Sequence, residues 1–155
     1  MTVTVIAVGS VRGPLADAVE DFEERARRYW KLETIEVDRG GNRSSRPDEV
    51  VAVEDSRIMS RLPTHAAAVA LTRKGRAMSS RTLAKWLSER ALEARDVAFV
   101  LGGAHGLGSD VLKNVGHQLS LSAMTLPHEM ARLVLMEQLY RAGTILRGEP
   151  YHKGR

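Results

Sequence analysis

Residues 97–107 read V-A-F-V-L-G-G-A-H-G-L, and a little further on residues 118–128 read Q-L-S-L-S-A-M-T-L-P-H. Each half is a short apolar run that delivers the chain into a turn of glycine, serine or other small residues, the pattern of a buried strand reaching its loop. Two such loops, separated only by a helix-like segment over about Gly108 to Val115, are placed to converge on one ligand. Working backwards, Ala66 to Leu71 is a third small and aliphatic strand. It is followed by a turn, T-R-K-G-R-A-M, and by Ser79-Ser80, which suit the cap of a helix from about Arg81 to Ala94. Working forwards, His128 to Leu146 reads as a long helix that is apolar on more than one side.

The first half of the chain repeats the alternation. Val3, Val5, Ile6 and Val8 form a β-branched run that stops at Gly9-Ser10, and Pro14 opens a helix whose Leu15, Val19, Phe22, Ala26 and Tyr29 or Trp30 share one stripe. On its other face Asp21–Arg25, Glu23–Arg27 and Glu24–Arg28 are acid-first pairs at i,i+4, so these arginines read as a solvated structural face rather than an RNA-binding stripe. Glu33 to Val37 is a second strand. Residues 38–46, D-R-G-G-N-R-S-S-R, carry no apolar anchor and read as a mobile loop before a helix over Pro47 to Leu62, whose Val50, Val51, Val53, Ile58, Met59 and Leu62 offer apolar contacts.

Strands alternating with helices predict an α/β fold: a mostly parallel sheet with helices on both faces, formed by a single domain over residues 1–155. Right-handed crossovers set the turns at Arg73, Gly102 and Ser122 on the carboxyl edge of the sheet, where open α/β folds bind ligands. The doubly apolar last helix points to a homodimer that covers its second side.

Composition narrows the chemistry. Cysteine is absent from the 155 residues, which removes disulfides, thiol nucleophiles and Cys-based zinc sites. The five histidines are scattered without metal-ligand spacing, so no metal is expected. The amino end lacks a signal-peptide pattern and no run approaches a membrane span, which predicts a cytoplasmic protein without membrane contact. Lys and Arg exceed Asp and Glu by 23 to 19, a modest positive field concentrated in loops and in the tail, where Arg141, Arg147, Lys153 and Arg155 close the chain.

The motifs fit no standard nucleotide loop, since neither G-x-G-x-x-G nor G-x-x-x-x-G-K-[ST] occurs. For Gly102, Gly103 and Gly106 a tight strand-to-helix turn and contact with a ligand stand as equal alternatives. His65 and His117 read as surface or strand-end residues. His128, at the head of the last helix, and His152, in the tail, are the histidines placed for chemistry, against a helix cap and a frayed end. Ser122 has no neighbouring base and supports no nucleophilic triad.

Six stretches together carry a resemblance: Ala7-Val8-Gly9, L-x-x-x-G-x-x-x-S-S from Leu71 to Ser80, L-G-G-x-x-G-L from Leu101 to Leu107, L-S-x-x-T-L-P-H from Leu121 to His128, E-x-L-Y-R-A from Glu137 to Ala142, and Pro150-Tyr151-His152. In this order, over almost the whole chain, they resemble the RlmH (YbeA-like) family of SPOUT, or α/β-knot, methyltransferases, which methylate N3 of a pseudouridine in large-subunit (23S) ribosomal RNA. The resemblance implies a trefoil-knotted carboxyl-terminal half and S-adenosyl-L-methionine as cofactor. It also implies a homodimer whose partner surface completes each site, and the assembled ribosome as substrate. Carried over position by position, Leu71, Gly103, Ser122, Ala123, Met124, Thr125, Leu126 and Pro127 are the implied cofactor contacts. His128, Arg141, Tyr151 and His152 are the implied catalytic group, with His152 as base, Arg141 favouring developing negative charge or holding phosphate, and Tyr151 stacking or positioning.

Thr72 stands where the family often has Asp, His105 where Glu or Asn is common, and Lys153 where an Arg commonly follows P-Y-H, with Gly154-Arg155 added. Lys keeps the charge but loses the bidentate fork. His105 reads as a solvent-facing loop residue. Two alternatives share these features: a SPOUT methyltransferase for another RNA site, and a non-enzymatic module that binds ribosome or RNA.

Overall fold

The first strand already assigns two faces to the sheet, because Val3, Val5 and Ala7 belong to one apolar cluster while Ile6 and Val8 belong to another. A strand apolar on both sides is stable only with helices above and below it. The computed structural model describes residues 1–153; Gly154 and Arg155, the end of the basic tail, lie outside the described residues. It contains β1 (Thr2–Val8), α1 (Ala16–Arg27) after a 3-10 turn, β2 (Lys31–Val37) and α2 (Pro47–Arg61). These are followed by β3 (Ala67–Ala77), α3 (Ser80–Leu92), β4 (Val97–Leu101), α4 (Ser109–Asn114), β5 (His117–Ser120) and α5 (His128–Leu146), with a last 3-10 turn at Pro150–His152.

All neighbouring strands pair in parallel, in the order β2-β1-β4-β3-β5. The α/β class and the parallel sheet are as the sequence implies. One core, with Phe99 fully buried at its centre, holds α1, α3 and α5 against the sheet through Ala26, Leu87 and Leu139. The second core is smaller and holds α2 and α4 through Ile58 and Val111. Burial of each such large side chain contributes about 1.5–3 kcal/mol. Because the helix after β1 covers one face and the helix after β4 covers the other, the sheet's switch point lies between these two strands, and a crevice opens at their carboxyl ends.

Several local expectations change. Strand β3 does not end in a turn at Arg73 but continues to Ala77 through a bulge, so that Leu71 and Arg76 both face Leu119 of β5. Gly75 permits this: a Cβ there would stand 2.7 Å from the backbone of Gln118 and Leu119. Ser79 caps α3 as its position implies, its hydroxyl accepting from the Thr82 amide at 3.1 Å. On α1 the Asp21–Arg25 and Glu23–Arg27 pairs form, whereas Arg28, at the helix end, makes no ion pair with Glu24 among the described residues.

The loop before α2 is anchored at its start. Arg57 donates to the carbonyls of Asp38 at 3.0 Å and Arg39 at 2.7 Å. On α2 itself, Val53 is 39 % exposed while its neighbours Glu54 and Asp55 are 4 % and 2 % exposed. The apolar surplus of α5 is partly taken up within the chain, since that helix packs between α1 and α3. Met130, Leu133, Val134 and Ile145 keep partial exposure, and Leu146 is 44 % exposed. Among the described residues no helix is long and apolar enough to cross a membrane.

Candidate active site

At the end of β4 the chain turns through a small hairpin in which the Gly106 amide donates to the Gly103 carbonyl at 3.1 Å. The glycines here answer to packing. A Cβ on Gly102 would lie 2.5 Å from the Gly106 backbone, and a Cβ on Gly103 would lie 2.7 Å from the Glu54 carboxylate and 3.0 Å from Val8. Gly106 has φ +76°, which side chains strongly disfavour. The tight-turn alternative thus accounts for all three, and the ligand-facing surface they leave is bare backbone.

That backbone forms one wall of a cleft of about 480 Å³, within the size range of small-molecule sites. Leu71 at the end of the regular part of β3, Leu101, and Ala131 of α5 give it apolar sides, and Thr125, Leu126, Pro127 and His128 close it from the loop before α5. Arg73, projecting from the β3 bulge, donates to the Thr125 hydroxyl at 2.8 Å and braces that loop. Within the loop, the Ser122 hydroxyl accepts from the Met124 amide at 3.0 Å.

Two adjacent buried carboxylates on α2 hold the other side. Asp55 accepts from the amides of Gly108 at 3.0 Å and Val111 at 3.2 Å, capping the short α4 from outside; a helix of that length has little stability of its own. Glu54 accepts from Gly40 at 3.4 Å and presses against Gly103, so α2 sets the hairpin's position.

Beside the cleft, across Leu101, Gly102 and His128, runs a narrow neck lined also by Gly9, Ser10 and Arg132. Arg132 is 6 % exposed and donates to Glu36 at 3.0 Å. Its Nε and the Nε2 of His128 are buried without a hydrogen-bond partner among the described residues.

The other implied catalytic residues lie elsewhere. Along α5, positions 128 and 141 are about 20 Å apart. There Glu137 accepts from the Arg141 guanidinium at 2.9 and 2.5 Å and from the Tyr151 hydroxyl at 3.0 Å. The Arg141 guanidinium also lies 4.9 Å from the centre of the Tyr151 ring. The Glu137 bond raises the Arg141 pKa above its ordinary value; burial, then Glu137, raise that of the Tyr151 phenol. The Tyr151 ring rests 4.5 Å from Tyr140, whose ring in turn lies 5.7 Å from that of Tyr29 at a tilt of 57°. The Tyr29 hydroxyl bonds Glu149, which pushes its pKa to about 12. His152 sits half-buried at the tail's last turn.

The structure therefore brings Leu71, Gly103, Thr125, Leu126, Pro127 and His128 together, and Arg141, Tyr151 and His152 together at a second place. Ser122 and Ala123 stand outside the cleft lining, and Met124 is 77 % exposed. His105 is exposed, as the sequence implies. Among the described residues no group of three or more His, Cys, Asp or Glu is placed to hold a metal ion. Sequence reasoning missed Arg132, Glu54, Asp55 and Glu137. Each had a signal: acids inside an apolar stripe for α2, and i,i+4 spacing to His128 and Arg141 for the other two.

A family model described as "Predicted SPOUT methyltransferase" matches residues 1–152. The chain is 50% identical over 99% of its length to the ribosomal RNA large subunit methyltransferase H of Gemmatimonas aurantiaca, all of which is covered. It is 45% identical to the protein of the same name from Rubrobacter xylanophilus, with 96% of each covered. Among solved structures, one described as "Probable Methyltransferase from Bordetella pertussis Tohama I" is similar in fold, with TM-score 0.56 and 19% identity over 90% of this chain and 95% of that one. A methylase family protein from Haemophilus influenzae Rd KW20 gives TM-score 0.55 at 11% identity, over 98% of this chain and 70% of that one.

Proposed function

Since the chain belongs to the SPOUT methyltransferases and, within them, to the RlmH family, we propose that it is an S-adenosylmethionine-dependent enzyme that methylates N3 of a pseudouridine in large-subunit ribosomal RNA. The observation that carries the cofactor assignment is the cleft at the carboxyl ends of β3 and β4. Its donor set fits: Leu71, Leu101, Leu126 and Ala131 offer apolar faces for a planar ring, and the backbone of 102–104 and 125–127 offers amides and carbonyls for polar edges. Ser122, Ala123 and Met124 act by shaping that loop. Bound there, S-adenosylmethionine supplies a methyl group on a sulfonium that needs no further activation.

What remains for the protein is to orient the target base and remove its weakly acidic N3 proton. His152 is the proposed base, Arg141 favours the anion that develops on the ring, and Tyr151, whose hydroxyl donates to Glu137, positions the tail. His128 acts at the cleft itself. The roughly 20 Å between cleft and tail supports a homodimer in which one copy's tail serves the other's cleft. The same reading makes residues 1–155 one domain with trefoil threading of the last strand and helix, acting on the assembled ribosome in the cytoplasm; the place of β5 beyond β3 suits that threading.

The test is mass spectrometry of ribosomal RNA after incubation of large subunits with protein and S-adenosylmethionine. A new methyl on a pseudouridine is expected. Cofactor binding without that methyl points to another RNA site, and absence of cofactor binding by calorimetry leaves a non-enzymatic module.

A further inference from the structure

The donor cleft is one end of a longer trough. Leu101, Gly102 and His128 line both the cleft and the neck beside it, and Gly9 and Ser10 line both the neck and an open groove of about 440 Å³ at the ends of β1 and β2. The neck lies at the β1–β4 switch point, the position at which sheets of this topology hold ligands. The neck itself holds only about 10 Å³, room for one water, and the Nε of Arg132 and Nε2 of His128 are buried without a hydrogen-bond partner among the described residues.

The groove beyond it is edged by two exposed arginines, Arg12 and Arg39. Arg12 bonds only the Ser10 hydroxyl, at 3.3 Å, and neither arginine forms an ion pair among the described residues. Two acids share the groove. Glu36 is already matched by Arg132 at 3.0 Å, which leaves Asp38 against two guanidinium groups. The backbone carrying them is fixed: Gly9, at φ +74°, donates to the Val37 carbonyl at 2.8 Å, and Arg57 holds the carbonyls of Asp38 and Arg39. Guanidinium groups that spring from a held backbone lose less entropy on gripping an anion.

We infer that this β1–β2 groove seats the sugar-phosphate backbone of the RNA strand next to the target nucleotide. Arg12 and Arg39 hold phosphates on the groove side of the neck while the target base is presented to the cleft on its other side. This rests on the RNA methyltransferase reading above, and adds to it the side from which the strand approaches. Of the other loop arginines, Arg73 is spent on Thr125 and Arg46 on Asp48.

The experiment measures binding and methylation of large subunits as a function of salt for the full-length protein, the double variant Arg12→Gln/Arg39→Gln, the double variant Arg12→Lys/Arg39→Lys, and Arg61→Gln as a basic control outside the trough. Loss of two phosphate contacts lowers the slope of log affinity against log salt by about 1.4–1.8. The Gln pair is expected to show that drop, together with a roughly tenfold or larger rise in KM, an unchanged affinity for S-adenosylmethionine and little change in kcat. The Lys pair retains most of the slope, and Arg61→Gln leaves it alone. A Gln pair with the salt slope and KM of the parent protein, while the parent methylates the subunits, overturns this proposal and leaves the methyltransferase reading standing. A parent protein that binds the cofactor but methylates no subunit overturns both.

Discussion

The donor cleft and the tail cluster sit near opposite ends of the same helix and are built from different materials. The cleft is backbone and apolar wall: bare hairpin backbone, Leu71, Leu101, Ala131 and the loop from Thr125 to Pro127. The tail is side-chain charge: Glu137 receiving Arg141 and Tyr151, with an aromatic column of Tyr29, Tyr140 and Tyr151 beneath. The first kind of site binds by shape and is damaged by added volume. The second acts through ionisation and is damaged by lost charge. Substitutions in the two regions should therefore separate cofactor affinity from turnover.

The largest effect is expected from His152→Ala, which should lower single-turnover methylation by at least about a hundredfold with calorimetric cofactor affinity unchanged; an unaltered rate removes His152 from the chemistry. Next is Gly103→Ala. Its Cβ would meet Glu54 at 2.7 Å and Val8 at 3.0 Å, so a cost of about 1–3 kcal/mol in thermal or denaturant stability is expected, with weaker cofactor binding. Glu137→Gln should lower kcat by about tenfold, the worth of a charge-assisted bond, with cofactor affinity unaffected. A change in cofactor affinity equal to the loss in rate would erase the distinction between the two regions.

The smallest effect concerns stability and pH. The Tyr29 pKa is raised from 10.0 to about 12 through its bond to Glu149, so the protonated phenol stabilises the folded chain. That contribution is complete below pH 10 and is lost as pH rises towards 12. The stability difference between the parent and Tyr29→Phe, about 1 kcal/mol or less, should shrink over that window in denaturant titrations. A difference that is constant across it means Tyr29 does not titrate against Glu149.

The sequence made the sheet legible because burial on both faces leaves continuous aliphatic runs such as Val97–Leu101, and because α5, headed by Pro127, carries its own start signal. It concealed what depends on distant partners. Glu54 and Asp55 are visible only as acids within an apolar stripe, and what they hold emerges once Gly103 and Val111 are seen to lie against them. Arg73 looked like a turn residue because the excursion of β3 is closed by Gly75 against β5, a contact between segments far apart in the chain. The glycines of 102–106 were visible as a turn, but their reasons, Glu54 and the hairpin itself, were not. The family resemblance named Arg141 and His152, yet spacing along the chain did not reveal that α5 keeps them about 20 Å from His128.

That separation makes complementation the most direct measurement. Ala131→Trp fills the cleft and His152→Ala disables the tail, so each variant alone should be inactive. Mixed in equal amounts and allowed to exchange subunits, they should regain about a quarter of the parent methylation rate, because half of the dimers then hold one intact cleft facing one intact tail. Two folded, dimeric variants that remain inactive after exchange would contradict a site shared between two copies.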